Sequence, residues 1–138
     1  MEELRSAAEA VRQNLNIPSF DEVAVSTLTE FIDRERTSIE HEAMPGVVNA
    51  LGCFLGECII RSFGGHWHRD ASGLVGVQIA GCTFINPFSY VERQLVHGAV
   101  ESVMVFFHSV PTRLAAAAVP RRRTWIPLPL PPRRTTSP

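Results

Sequence analysis

The stretch Val47–Asp70, VVNALGCFLGECIIRSFGGHWHRD, decides the fold. Its first part is apolar on nearly every side of a helix, which is typical of a helix at the centre of a core. Pro45 suits the first turn of this helix, and Gly64 suits the left-handed position that ends it. Residues 66–69 then alternate in polarity, as a strand does. The stretch therefore predicts a central helix that leads directly into a hairpin.

Gly52 and Gly56 lie one turn apart inside this helix. A glycine in a helix interior costs about 1 kcal/mol relative to alanine. Glycine is useful where another element must approach the backbone closely. We therefore expect another helix or strand to pack against these two residues.

Two helices are predicted upstream. Residues 4–13 are good helix formers, and Pro18 separates them from the next helix. Ser19 and Glu22 match a capping box, which places the start of the second helix at Ser19. Apolar residues continue at helical spacing from there, and the helix is expected to fade near Glu40 or Glu42.

Short strands and two more helices are predicted downstream. A turn at 70–73 and an alternating run at 74–79 complete the hairpin, and 82–85 suits a short third strand. Asn86 and Pro87 are a helix start, which Gly98 ends. Residues 100–110 fit a buried strand or a helix; we favour a helix that ends before Pro111.

These elements define an α+β fold: N-terminal helices, a small antiparallel sheet of two or three strands, and two further helices. One domain is predicted over residues 1–113. Residues 114–138 hold most of the prolines and five arginines, with no acid. This composition predicts a disordered tail rather than a core.

The composition argues against several classes of protein. The chain has 138 residues, a one-domain length, and 45% of them are hydrophobic. Residues 1–118 hold eight arginines against fourteen acids, a balance of −6, which argues against nonspecific binding of nucleic acid. No uncharged apolar run reaches the ~18 residues that span a membrane, and the N-terminal acids do not suit a secretory signal. We therefore predict a cytoplasmic protein that binds no specific nucleic acid and no membrane.

Glu57 lies in the most apolar part of the central helix, and Arg61 follows it one turn later. One interpretation is an ion pair at the solvent-facing edge of the helix. The other is a buried carboxylate that lines a pocket, and burial of a carboxylate requires a partner. For the second interpretation, the binding residues are Glu57, Arg61, Trp67 and Asn86.

His66 and His68 share one face of the predicted strand, a spacing found in some metal sites. A metal needs a third protein ligand, and no pattern brings another histidine, Glu57 or a cysteine to them. They are weak metal candidates, and two strand histidines that flank a buried Trp67 are the favoured interpretation. No cofactor is predicted, because the chain has no glycine-rich phosphate loop.

The three cysteines, Cys53, Cys58 and Cys82, form no CxxC pair. Two of them lie inside the apolar helix, where cysteine packs as a small hydrophobic residue. An odd number in such positions favours buried thiols over a disulfide or a metal site, and argues against a nucleophilic cysteine.

Three blocks within residues 47–110 resemble an uncharacterised family of small bacterial α+β domains. The blocks are LGCFLGECIIRSFGGHWH, LVGVQIAG and INPFSYVERQLVHGAVESV. The family pattern falls on Leu51, Gly52, Leu55, Gly56, Glu57, Arg61, Gly64, Gly65, Trp67, Asn86, Pro87, Phe88, Gly98 and Ser102. The resemblance implies a bacterial α+β domain and implies no particular activity.

Two functions are predicted from these features. The first is a non-enzymatic protein-interaction module, an adaptor or an immunity-like protein with an unknown protein partner. The alternative is a small ligand-binding protein or enzyme. The alternative requires the Glu57 carboxylate in a concave pocket beside other polar groups, with a perturbed pKa. An interaction module requires an exposed apolar or acidic patch and no such pocket.

Overall fold

A computed structural model of the chain describes residues 1–81 and 83–123. The described residues form five α-helices, two short 3-10 turns and one small sheet. The elements are α1 (Glu2–Asn14), α2 (Glu22–Glu35), a 3-10 turn (His41–Ala43), α3 (Met44–Phe63), β1 (His66–Arg69), β2 (Val75–Ile79), β3 (Thr83–Ile85), α4 (Pro87–His97), a 3-10 turn (Gly98–Glu101) and α5 (Val103–Arg123). The predicted α+β fold is confirmed.

The central helix is α3. Residues 51–59 are all buried, and the helix packs against α1, α2 and α4 and contacts β1 and β2. Pro45 lies in its first turn, and Gly64 ends it with φ +84°, as predicted from the sequence. The position of α3 explains its composition, because a helix contacted from several sides has almost no face left for polar residues.

The stretch His41–Phe63 is long and apolar enough to cross a membrane by length and composition. Half of its apolar window is buried inside the fold. The buried half of this window packs against other helices and strands of the same domain.

The three strands are antiparallel in the order β1-β2-β3. Trp67 pairs with Val77, and Val77 pairs with Ile85, so that three buried side chains form a row across the sheet. Asp70 closes the hairpin, because its Oδ1 accepts from the backbone N–H groups of Ser72 and Leu74 at 2.9 Å each. The hairpin and the short third strand are as predicted.

The glycines of α3 admit two aromatic side chains. A Cβ at Gly52 would collide with the Phe88 ring of α4, and a Cβ at Gly56 would collide with the Trp67 ring of β1. The close approach predicted from the sequence is confirmed, with one helix and one strand as the approaching elements. The two rings also stack on each other, with centroids 6.1 Å apart.

The start of α2 differs from the prediction. Asp21, not Ser19, is the N-cap: its Oδ1 accepts from Ala24 N–H at 3.0 Å. The Ser19 hydroxyl instead donates to Asp21 Oδ2 at 2.8 Å. Glu22 contacts His108 at 2.7 Å rather than reaching back to the backbone of Ser19. The capping box is wrong because α2 begins at Glu22, which places this glutamate at the first helical position rather than at the third.

Replacing Asp21 by alanine should lower the thermal unfolding midpoint by several degrees, because Ala24 N–H loses its acceptor. Ser19→Ala should have a smaller effect, and Asp21→Asn, which keeps an acceptor oxygen, is the control.

The Ser19 hydroxyl and the Ala24 N–H hold the pKa of Asp21 below its ordinary value of 3.8. Because the folded pKa is depressed, this stabilisation is present above pH 3.8 and is lost as the pH falls through the folded pKa. Equal midpoints for Asp21→Ala and wild type at about pH 6 would contradict the assignment.

The end of α2 also differs, since the helix stops at Glu35 rather than near Glu40. Arg36 follows, and its side chain reaches α4: Nε donates to the Leu95 carbonyl at 3.1 Å and Nη2 to the Val96 carbonyl at 2.7 Å. Arg36 thus satisfies carbonyl groups that the end of α4 leaves unpaired. No local pattern around Arg36 indicates this contact.

The helix start at Asn86 is confirmed, because its Oδ1 accepts from Phe88 N–H at 3.0 Å and from Ser89 N–H at 3.2 Å. Of residues 100–110, the part from Val103 onward is helical, as favoured from the sequence. Val100 instead belongs to a 3-10 turn and is 84% exposed. The helix begins three residues later than its apolar spacing suggests.

The chain divides into two compact units, Met1–His108 and Ser109–Pro138. In the second unit, residues 109–123 continue α5, and Arg113 Nε donates to Ser109 Oγ at 3.1 Å. The expectation that the helix ends before Pro111 is wrong. Proline removes one backbone donor, but Leu114 and the alanines after it are strong helix formers and continue the helix. The predicted tail beyond residue 123 lies outside the described residues.

Candidate functional site

Glu57 is buried near the middle of α3, with 4% of its surface exposed. Its Oε2 accepts a hydrogen bond from Trp67 Nε1 at 2.9 Å. The bond depends on Gly56, because only a residue without a side chain lets the indole lie so close to the helix. The sequence neighbours Gly56 and Glu57 therefore act together, one admitting the indole and the other binding its N–H group.

Arg61 lies one turn further along α3, and its Nε is 3.4 Å from Glu57 Oε1. The guanidinium carbon is 4.3 Å from the centroid of the Phe20 ring, a cation–π contact. The pair connects the core to the surface, since the glutamate side chain is 5% exposed and the arginine side chain is 58% exposed. The two sequence interpretations are thus both partly right: the ion pair is present, and its carboxylate is buried.

A cavity of about 320 Å³ opens beside this pair. It lies between α1, the second half of α3 and β1. The side chains that line it include Arg5, Glu57, Ile60, Arg61, His66 and Trp67. The volume is near the lower end of the ~300–1,000 Å³ range of small-molecule sites. The cavity therefore suits a small molecule rather than a large cofactor.

The Glu57 carboxylate has acceptor capacity left over. An ionised carboxylate offers about four acceptor positions, and within the described residues Glu57 has two partners, one of them at 3.4 Å. Burial of a charged group that is incompletely hydrogen-bonded is costly. A donor that enters the cavity would find this acceptor already in place.

Of the four residues predicted to bind together, the structure brings Glu57, Arg61 and Trp67 to one cavity. Asn86 lies elsewhere: it is the N-cap of α4 and lines a different cavity, beside Phe88. Its inclusion in the predicted pocket is not supported by the structure. The presence of asparagine at position 86 is explained by the hydrogen bonds that its side chain accepts from backbone N–H groups at the helix start.

Arg5 and His66 complete the cavity, and the sequence does not single out Arg5 at all. Arg5 lies on α1, and the sequence around it indicates only an ordinary charge on an exposed helix face. His66 is a weak metal candidate in the sequence, and in the structure it is one of the residues that line the cavity. No signal in the sequence places residue 5 beside residue 61, because their proximity arises from the packing of α1 on α3.

The two strand histidines lie close together, with ring centroids 6.2 Å apart. Across residues 1–81 and 83–123, no three His, Cys, Asp or Glu side chains converge in a way that could hold a metal ion. The metal candidates His66 and His68 therefore have no third ligand there. Cys82 lies outside the described residues.

The thiols of Cys53 and Cys58 are buried, as predicted. Burial raises the pKa of Cys53 to about 11, with a further contribution from the nearby charge of Glu57. Burial likewise raises the pKa of Cys58. Both thiols stay protonated at neutral pH, which makes them poor nucleophiles and poor metal ligands.

A second concave region surrounds the Phe88 ring. Two cavities of about 450 and 350 Å³ share Asn49 and Phe88, so they lie side by side along α3 and α4. We call this region the Phe88 surface; its lining includes Met44, Pro45, Val48, Asn49, Leu74 and Phe88. It is more apolar than the cavity beside Glu57 and has no buried charge among these residues.

Comparisons of the chain with protein-family models, with curated proteins and with solved structures found no match. The resemblance of residues 47–110 to a bacterial domain family therefore stays a prediction.

Proposed function

We propose that the first compact unit, residues 1–108, is a binding domain for a small polar ligand, which occupies the cavity beside Glu57. The observation that carries the proposal is the buried carboxylate of Glu57 at the cavity wall, with acceptor capacity that its protein partners leave unused. This is the alternative predicted from the sequence. It is favoured now because Glu57 lines a cavity together with other polar residues, which are two of the features that the alternative calls for.

The energetics support a role in binding. A buried ion pair is a poor way to stabilise a core, because well-packed apolar residues of similar volume serve as well or better. In α3, where residues 51–59 are all buried, the bond from the Trp67 indole N–H explains one oxygen of the Glu57 carboxylate, because leucine at position 57 would leave that N–H unpaired. The acceptor positions of Glu57 that adjoin the cavity are better explained by recognition of a ligand.

The cavity wall carries complementary groups. Two guanidinium groups and one imidazole supply donors, and Glu57 supplies an acceptor. Ile60 and the face of Trp67 add apolar area. The wall is about as polar as it is apolar, which suits a small polar ligand. The cytoplasmic location stays a prediction from the sequence, and so does the preference for a protein that is not an enzyme.

The interaction module predicted from the sequence is the second candidate function. The Phe88 surface supports it, since this region is concave and largely apolar, and Leu74 at one end is 46% exposed. Exposed apolar patches are typical of protein interaction sites. The two candidate functions use different halves of α3, residues 44–49 for the Phe88 surface and residues 57–61 for the cavity beside Glu57, so substitutions can separate them.

The test of the proposed function is a thermal-shift screen of polar metabolites. We expect at least one compound to raise the unfolding midpoint of the wild type; a ligand at 100 times its Kd adds about 2.7 kcal/mol to the unfolding free energy. Glu57→Gln should remove most of this shift, because the amide keeps an acceptor for Trp67 but loses the charge. Arg34→Gln, at an exposed pair with Glu35, is the matched control and should keep the shift.

The same variants serve in native mass spectrometry of the protein isolated from its host extract. A bound metabolite lost on Glu57→Gln would support the proposal. A stoichiometric protein partner with no metabolite, retained by Glu57→Gln, would overturn the proposal in favour of the interaction module.

A further inference from the structure

Two arginines face the cavity beside Glu57 with most of their donors available. Arg61 directs Nε to Glu57, and within the described residues its two terminal amino groups have no acceptor. Arg5 has Glu2 at 3.9 Å, with both side chains mostly exposed, and such surface pairs contribute little. Both guanidinium groups are therefore free to bind an anionic group of a ligand.

Two acids near these arginines leave their donors unoccupied. Arg5 and Arg61 also line an adjacent cavity with Glu2 and Glu9. The Glu9 carboxylate accepts hydrogen bonds from its own neighbours on α1: Arg12 donates to it from Nε at 3.0 Å, and Gln13 Nε2 donates at 3.0 Å. These bonds lower the pKa of Glu9 to about 2, with a further contribution from the charge of Arg61, so Glu9 is an anion that offsets part of the charge of Arg61.

The cavity thus combines two unlike sites. Arg5 and Arg61 line it with side chains that are 66% and 58% exposed, and a guanidinium group suits a carboxylate. The buried Glu57 carboxylate suits a hydrogen-bond donor such as an ammonium or hydroxyl group. A ligand that carries both a carboxylate and such a donor therefore finds a partner for each group.

We propose that the ligand is a small amino acid or hydroxy acid. Its carboxylate lies between Arg5 and Arg61, and its amino or hydroxyl group donates to Glu57. The inference rests on the proposed function and assigns the chemical class of the ligand. Ile60 and the indole of Trp67 contact its apolar side chain.

The test uses ligands matched in shape, which differ only in their polar groups. The probes are L-leucine, its 2-hydroxy analogue, 4-methylpentanoate and 3-methylbutylamine, with a second set built on L-alanine. Binding is followed by the NMR signal of the Trp67 indole N–H in a Trp125→Phe background, which leaves a single indole. Probe concentrations of about 10 mM detect sites with Kd near 1 mM.

We expect the amino or hydroxy acid to bind about tenfold tighter than the matched carboxylate or amine. Arg5→Gln should weaken every probe that has a carboxylate and leave 3-methylbutylamine unchanged. Glu57→Gln should weaken the probes that have a donor and leave 4-methylpentanoate unchanged. Arg34→Gln should change none of these affinities. A purely structural role for Arg5 or Glu57 would not sort the probes in this way.

The contrary outcomes are distinct. Equal binding of 4-methylpentanoate and L-leucine would show that Glu57 recognises no donor and would overturn the inference. Binding of inorganic phosphate but of no carboxylate would overturn it as well. If both probe sets fail while a metabolite in the thermal-shift screen still depends on Glu57, the ligand class is wrong and the proposed function stands. If neither experiment detects binding, both the ligand class and the proposed function are wrong.

Discussion

Replacing Gly56 by alanine should lower the free energy of unfolding by about 3 kcal/mol, although alanine is the better helix former. A methyl group at this position would lie 2.5 Å from Trp67 Cζ2 and closer still to Cη2. The indole has little room to retreat, because its Nε1 is bonded to Glu57 and its face stacks on Phe88. Overpacking of a core costs about 1–3 kcal/mol, and loss of the buried hydrogen bond adds about 1–3 kcal/mol. The gain in helix propensity offsets about 1 kcal/mol of this loss.

Gly46→Ala is the matched control for Gly56→Ala, since it lies in the same helix with nothing within 4 Å of its Cβ position. It should be neutral or stabilise the domain by about 0.5 kcal/mol. Urea unfolding of the two variants measures the difference directly. Similar stabilities would show that Trp67 moves freely, and the cavity wall beside Glu57 would then not be fixed.

Gln94→Leu should cost about 2–4 kcal/mol of unfolding free energy, despite the similar size of the two side chains. Gln94 is completely buried. Its Nε2 donates to the Thr29 carbonyl of α2 at 3.0 Å, and its Oε1 accepts from the Val103 N–H of α5 at 2.9 Å. Val103 is the first residue of α5, where backbone N–H groups have no partner within the helix. Gln94 therefore joins α2, α4 and α5 through one side chain.

Leucine at position 94 would leave the Val103 N–H buried without an acceptor. The matched control is Gln13→Leu on the exposed face of α1, where the change should be within about 0.5 kcal/mol. Chemical denaturation followed by circular dichroism measures both variants. A Gln94→Leu variant as stable as Gln13→Leu would indicate that water replaces the glutamine, and α5 would then not depend on α4 for its start.

Local patterns predict much of the fold because their causes are local. Pro45 and Gly64 bound α3 through backbone conformations that proline and glycine favour, whatever surrounds them. Asn86 predicts the start of α4 because its acceptor lies within three residues of the N–H groups it binds. The glycines of α3 indicate that a close neighbour exists, but they do not identify it.

Local patterns misplace both ends of α2. Ser19 and Asp21 are both suitable N-caps, and the structure uses Asp21, so Glu22 becomes the first helical residue and its side chain contacts His108 rather than the backbone of Ser19. At the other end, the helix stops at Glu35, and Arg36 binds the last carbonyls of α4, 59 and 60 residues away along the chain. A local pattern does not decide between two neighbouring caps, and it does not reveal a distant partner.

The candidate site shows the same division. The sequence by itself determined the α+β class, the burial of α3, and the pairing of Glu57 with Arg61, because helical periodicity and i,i+4 spacing act within one element. Only the tertiary structure decided that Trp67 binds Glu57, that Arg5 completes the cavity, and that Asn86 lies outside it. These outcomes depend on how α1 and β1 pack on α3, and such packing is set by the shapes of whole faces rather than by any short stretch of residues.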